Sequence, residues 1–517
     1  MARVNLGVSV QAWDKAAAKA HRKSSAPAGP ARSVRTYIEF PEWLHLHAEL
    51  FFWVLLASAA GCNLDHPGEA PELGKLYFPT AVAISAGQQG HPARYLFVAN
   101  SNFDLAYNAG SLQAFDLEAL DERIAGCDAE PCTIPNADLL RGEVRIGSYA
   151  TGITVSATGD RIYVPTRSNS ALTWIDLRPQ RGDDGILDCG QGGDLWCDND
   201  HVRDERTLTI DRGDEDEQRV AVPVEPVGAI TGPMSDFDSE AGDGEHYVMV
   251  AYRIGAVSLY LDGPGRAVGP KLIGVLDGIR ERIAGIAYDP VTAFAYLTSS
   301  DVSGVIQAKA LDRIGVRYAG EHSVIYDAGP VWLTGVSFDR DTRDLDFDAE
   351  SLPGKALVVA RVPSSLIVAE TEPDRGDLNW TTASAVVEVG SGASRVAVGR
   401  IGGNHKLFAF VSCFSSRELF VVDIRLGEPV AVVRGFSGPF DLVLDRWRQR
   451  LYLADFRSST IRIVDLRPLV CDPDDEDTAC DSAVAASGAE LPCRCLDDRE
   501  LRITATVGEP NLPTELL

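Results

Sequence analysis

Residues 149–179 read YATGITVSATGDRIYVPTRSNSALTWIDLRP. At period two this stretch resolves into three short strands, 152–156, 161–164 and 171–177, rich in β-branched or aromatic residues and parted by polar turns. Residues 438–468, GPFDLVLDRWRQRLYLADFRSSTIRIVDLRP, repeat the arrangement near the other end of the chain. A supersecondary unit of this size cannot bury its own apolar faces, so copies must stack on one another.

Aligning the chain on this stretch gives seven copies, whose first strands begin near Thr80, Gly152, Gly228, Gly285, Gly335, Arg395 and Phe440. Second strands follow at 95–98, 161–164, 247–250, 294–297, 356–359, 406–411 and 450–453, and third strands at 111–117, 171–177, 256–261, 304–310, 365–370, 418–424 and 460–466. A fourth, outer strand is expected at 143–148, 219–224, 271–276, 323–327, 384–389, 429–434 and 502–507. Four strands repeated in the same order seven times imply an all-β fold, a seven-bladed β-propeller of four-stranded antiparallel blades over residues 76–517. With 47 Gly, 28 Pro and only 3 Met, composition also favours strands and turns over helices.

The phrases GDRIYVPTRSNSALTWIDL (159–177), RQRLYLADFRSSTIRIVDL (448–466) and ARYLFVANSNFD (93–104) resemble the YVTN/NHL-type seven-bladed propellers, including their lactonase-like branch. The resemblance implies the fold far more than an activity, because unrelated functions share such scaffolds. Its enzymatic alternative is a lactonase-like hydrolase working in the central funnel.

A formal net charge of −27 repels nucleic acid, and no Lys/Arg cluster opposes it, which argues against nucleic acid as a partner. Residues 50–61, LFFWVLLASAAG, are too short to span a bilayer stably but suit the hydrophobic region of a signal peptide. Small residues directly before Cys62 resemble a bacterial lipobox, which implies lipidation of Cys62 and a membrane anchor in the cell envelope, the outer membrane before the inner. Residues 1–49 then form a leader ahead of the true start or a disordered one, and 62–75 form the lipidated Cys and its tether.

Cysteine usage agrees with export. Cys127, Cys132, Cys189, Cys197, Cys471, Cys480, Cys493 and Cys495 cluster locally in acidic loops, as disulfides in an oxidising compartment would. Cys127–Cys132 and Cys189–Cys197 are the expected pairs, and the last four leave three connectivities open. Zinc is the competing reading, though the spacings are not those of a zinc finger.

In a four-stranded blade, the turns between strands two and three and the links between blades share one rim. The cysteines and the acidic insertions 181–205, 236–245 and 339–350 are all assigned by this connectivity to the opposite rim. On the short-loop rim, the residue two past each expected second strand reads Asn100, Thr166, Tyr252, Ser299, Arg361, Cys413 and Asp455. The next position reads Ser101, Arg167, Arg253, Ser300, Val362, Phe414 and Phe456. Asn100, Arg167, Tyr252, Arg253, Arg361 and Asp455 are therefore the candidates for holding a small-molecule, peptide or envelope-protein ligand, with the arginines suited to an anionic group. Asp183, Asp188, Asp194, Asp198 and Asp200 offer hard oxygen ligands at short spacing, suited to calcium but not arranged as an EF-hand. No GxSxG, HExxH or Walker-type motif occurs.

Overall fold

The computed structural model describes residues 68–87, 91–127, 131–178, 185–190, 195–204, 209–210, 218–219, 223–234, 245–263, 269–279, 282–299, 309–319, 322–334, 341–348, 350, 352–371, 380–401, 406–469 and 501–510. Cys62 with its hydrophobic run, Asp183, Asp194, and Cys471, Cys480, Cys493 and Cys495 lie outside the described residues.

Blade one begins with β1 (Pro79–Ile84), β2 (Tyr95–Asn100) and β3 (Gly110–Asp116). The helix α1 (Leu117–Ala125) and the short β4 (Cys132–Ile134) intervene before its outer strand, β5 (Leu140–Ile146). Blade two holds β6 (Thr154–Val155), β7 (Arg161–Thr166) and β8 (Ala171–Leu177), with β9 (Leu187–Asp188) and β10 (Val202–Arg203) both paired to β8. A separate hairpin, β11 (Thr209–Ile210) and β12 (Gln218–Arg219), follows. Blade three is β13 (Pro226–Pro233), β14 (His246–Tyr252), β15 (Ala256–Asp262) and β16 (Lys271–Leu276). Blade four is β17 (Ile283–Asp289), β18 (Phe294–Ser299), β19 (Lys309–Ala319) and β20 (His322–Thr334). Blade five is β21 (Thr342–Asp346), β22 (Lys355–Arg361), β23 (Ser364–Glu370) and β24 (Trp380–Glu388). Blade six is β25 (Ala393–Ile401), β26 (Lys406–Cys413), β27 (Glu418–Asp423) and β28 (Glu428–Val433). Blade seven is β29 (Pro439–Asp445), β30 (Arg450–Asp455), β31 (Thr460–Asp465) and β32 (Ile503–Val507).

Within each blade the strands run antiparallel in chain order, and the first strands of successive blades neighbour one another until β29 meets β1. The fold is thus a seven-bladed β-propeller. A blade lies between two neighbours, so its second strand is covered on both faces and reads as continuous apolar sequence. YLFVAN in β2, RIYVPT in β7 and HYVMVAY in β14 are buried throughout. Alternate side chains then serve different interfaces: Leu96 and Val98 pack toward blade seven, whereas Phe97 and Ala99 pack toward blade two. One apolar cluster fills each of the seven blade-to-blade junctions.

Strand expectations in three blades are corrected. The outer strand of blade two is Val202–Arg203, not 219–224, and Arg219 pairs instead with Thr209. Here Trp174 decides the pairing: its ring stacks on His201 at 4.0 Å and its Nε1 donates to the Asp200 carbonyl, which lays β10 against Leu172 and Thr173. The third strand of blade four is Lys309–Ala319 rather than 304–310, and its outer strand extends the expected 323–327 to His322–Thr334. Blade five opens on Thr342–Asp346, within what reads as an acidic loop, instead of at Gly335. The carboxylates of this strand are spent on the next blade: Asp344 accepts from Val396 N at 2.9 Å and Asp346 from Val398 N at 2.8 Å.

Ring closure draws on the insertion of blade one. β4 adds to β32 as a parallel fifth strand of blade seven, and Gly508 N donates to Ile134 O at 3.0 Å. The Cys127–Cys132 disulfide anchors β4 to the end of α1, and Asp121 of α1 takes Arg448 at 2.7 Å together with Arg450. The second expected disulfide, Cys189–Cys197, ties the blade-two insertion, with its Cα atoms 4.8 Å apart. Among the described residues no helix is long and apolar enough to cross a membrane.

Candidate ligand-binding rim

The second strands run two residues further than their apolar pattern indicates, to Asn100, Thr166, Tyr252, Ser299, Arg361, Cys413 and Asp455. Those positions are therefore the last rungs of the ladder, and the turn proper begins one residue later. Asn100 is fully buried: its Oδ1 accepts from Tyr77 N at 3.1 Å and its Nδ2 donates to Ser111 Oγ. Asp455 is equally buried, accepting from the amides of Ser437 and Gly438 and pairing with Arg462 at 3.1 Å. Tyr252 is buried with its hydroxyl 3.0 Å from Ser258 Oγ. These three candidates are held inside the protein and position the turns beside them. Arg167, Arg253 and Arg361 instead stand exposed at the rim.

Arg167 and Arg253 face each other across blades two and three. Arg167 Nε donates to Pro226 O at 3.3 Å, and its guanidinium is drawn below the usual arginine value by desolvation in the funnel mouth and then by the charge of Arg253. It remains a cation at any physiological pH. Glu225 lies 3.8 Å from Arg253, a loose and exposed pair that holds neither side chain firmly.

The rim also carries an aromatic surface that spans blades six, seven and one. Phe456 is its hub, with ring centroids 5.1 Å from Phe78, 5.2 Å from Phe103, 6.0 Å from Phe414 and 5.7 Å from Phe440. Tyr149 extends it from Phe103 at 6.1 Å, and Arg457 lies over the Phe414 ring at 4.8 Å. Local structure explains why Phe103 projects. Asn102 adopts a left-handed conformation and clamps its own loop, donating to Tyr107 O at 2.7 Å and to Ser148 Oγ at 3.0 Å. Phe103 keeps 54% of its surface exposed, and Leu105, Ile254 and Val362, also on turns between second and third strands, keep 57%, 50% and 58%. The signal for this surface lay in the register one past the expected positions, where Phe414 and Phe456 stand. Phe78 and Phe103 had none.

Beneath the rim, the channel is crossed by Arg395. Its guanidinium reaches Asp344 of blade five at 3.1 Å, Asp441 of blade seven at 3.5 Å and the Thr151 carbonyl of blade two at 3.2 Å. Asp441 in turn accepts from Val82 N of blade one at 2.9 Å. One cation shared between two carboxylates does not offset their burial, so Asp344 is raised and Asp441 is pushed up to about 6. Asp346 is pushed up to about 7 by burial, which the amides of Val398 and Phe347 only partly relieve.

Other reactive groups are engaged elsewhere. His246 Nε2 and Asp262 Oδ2 each lie 2.7 Å from Tyr163 Oη, buried between blades two and three. Cys413 is free and buried, and burial pushes its thiol up to about 12, so it is no thiolate nucleophile at neutral pH. Of the acidic loop, Asp188 pairs with Arg178 at 2.7 Å, and Asp198 caps a short helical turn through the amides of Asp200 and His201. Asp200 offers its carbonyl, not a positioned carboxylate, to Trp174 and Arg203. Among the described residues no group of three His, Cys, Asp or Glu side chains converges as a metal would need.

No family model matches the chain, and no curated protein does. Similar solved structures include Kuenenia stuttgartiensis hydrazine synthase, at TM-score 0.46 and 12% identity over 75% of this chain and 95% of that one. A functionally unknown protein from Desulfotomaculum acetoxidans gives 0.42 and 11%, over 68% and 88% of the two chains. The β-propeller domain of Myceliophteria thermophila Cps50 (Swd1) gives 0.43 and 11%, over 75% and 96%.

Proposed function

We propose that this chain is a YVTN/NHL-type propeller that works as an exported, lipid-anchored binding or scaffolding module of the bacterial cell envelope. The observation that carries the binding role is the short-loop rim, where exposed arginines and an aromatic surface meet on turns held rigid from below by Asn100 and Asp455. Such a surface binds a partner by preorganised contact and needs no reactive group. Among the described residues, the channel carboxylates Asp344 and Asp441 are committed to Arg395 and to neighbouring backbone amides, which supports binding over hydrolysis. The address rests on the sequence before Cys62 and is supported by the two disulfides, which belong in an oxidising compartment.

Intact mass and N-terminal analysis of the protein from membrane fractions of its native host test the address. A diacyl- or triacyl-modified Cys62 is expected, and an unmodified chain in the soluble fraction rejects it. For the binding face, the triple variant R167A/R253A/R361A is expected to lose most partner recovered by the wild type from envelope extracts, with an unchanged melting temperature. Full recovery by the variant rejects the rim.

A further inference from the structure

Resting on the reading of the rim as the binding face, we infer that its partner is an acidic peptide segment carrying an aromatic or aliphatic anchor. Two independent features of the rim converge on that chemistry. The first is apolar. Phe414, Phe456, Phe103 and Tyr149 follow one another at 6.0, 5.2 and 6.1 Å, a run of rings across three blades that is longer than one small ligand would cover. Phe103 and Leu105 stand more than half exposed beside it, so an anchor side chain laid there removes apolar area from water on both partners.

Charge supplies the second feature. The chain carries −27 overall, yet Arg457 sits at one end of the ring run, over Phe414, and Arg167 follows at the other, its amide bonded to the Tyr149 carbonyl. Arg253 adds its charge beside Arg167, and Arg361 ends the second strand of blade five, exposed and with no ion pair among the described residues. All four are arginines, whose planar forks suit carboxylates better than a lysine point charge does. The charge of Arg253 bears on Arg167, the ion pair of Arg253 among the described residues is the loose one with Glu225, and an incoming anion relieves that repulsion. An extended acidic peptide meets both features, with its anchor on the rings and its carboxylates on the flanking guanidinium groups. Nucleic acid also combines stacking with anionic charge. It would have to bring many phosphates against the field of the whole molecule for a few rim arginines, so the peptide is favoured.

The experiment is selection of a phage-displayed random peptide library on the full-length chain, followed by anisotropy with the enriched peptide. Enrichment of sequences rich in Asp or Glu around a Phe, Trp, Leu or Ile is expected. F103S and R253E, both at exposed positions, should each weaken the enriched peptide by about tenfold or more at unchanged melting temperature. Affinity should also fall as salt rises. No enrichment, enrichment of neutral or basic sequences, or tight binding of a single-stranded oligonucleotide instead overturns the inference. If the peptide class fails while the triple arginine variant still loses its native partner, the binding rim stands and only the partner chemistry is wrong. If both fail, the rim is not the working face.

Discussion

Asp346 lines the channel with a carboxyl that prefers its proton up to about pH 7, because burial outweighs the amides of Val398 and Phe347 that it accepts from. In the unfolded chain the same group titrates near about 4. The folded state therefore binds the proton more tightly than the unfolded one between those values. Its contribution to stability is complete below about pH 4 and is lost as pH rises through about 7. Asn at this position keeps the acceptor oxygen and removes the titration. Between about pH 4.5 and 6.5, wild-type stability should fall relative to D346N by up to about 1.4 kcal/mol per pH unit. Urea midpoints across that range check this, and parallel curves would show that Asp346 is ionised throughout.

Among the elements, the clasp formed by α1 and β4 closes the ring by lending blade seven a parallel edge strand from the insertion of blade one. Asp116 caps α1 through the amides of Glu118 and Ala119, and the helix offers Asp121 to two arginines of blade seven that are almost buried. Removing that carboxylate leaves Arg448 and Arg450 without their shared anion. D121A should therefore lower the urea midpoint by the equivalent of about 1–3 kcal/mol at unchanged m-value. A fall in m would instead mean that the clasp had opened in the native state. The clasp also shows where sequence stops being legible. Second strands such as RIYVPT announce themselves because both faces are buried, and so the seven-fold repeat can be read directly. TRDLD of blade five reads as loop, because its aspartates serve amides of another blade some fifty residues away in sequence. Two-residue β10 is placed by Trp174 and a disulfide-tied loop, neither of which leaves a periodic trace. At the rim, Asn100, Tyr252 and Asp455, like Arg361, end their strands rather than begin the turns, because polar side chains alone do not reveal the last two rungs of a ladder.

At the scale of the whole molecule, Arg395 is the one side chain described that joins blade six to blades two, five and seven at once. A propeller depends on keeping its blades in register around the axis, and here part of that register is ionic. Replacing Arg395 by Met removes the cation but leaves Asp344 and Asp441 facing each other in the channel, where each already carries an uncompensated cost of burial. R395M should therefore lose about 3 kcal/mol at neutral pH. The loss should shrink as pH falls toward about 5, because carboxylates with raised pKa recover stability as they protonate. R395M/D344N/D441N removes the charges together while keeping oxygen acceptors for the Val396 and Val82 amides, and should return to within about 1 kcal/mol of the wild type. Thermal and urea unfolding of the three proteins at two pH values separate the alternatives. If the neutral variant is as unstable as R395M and insensitive to pH, the contribution of Arg395 is its packing across the channel, and the charges on Asp344 and Asp441 are incidental to it.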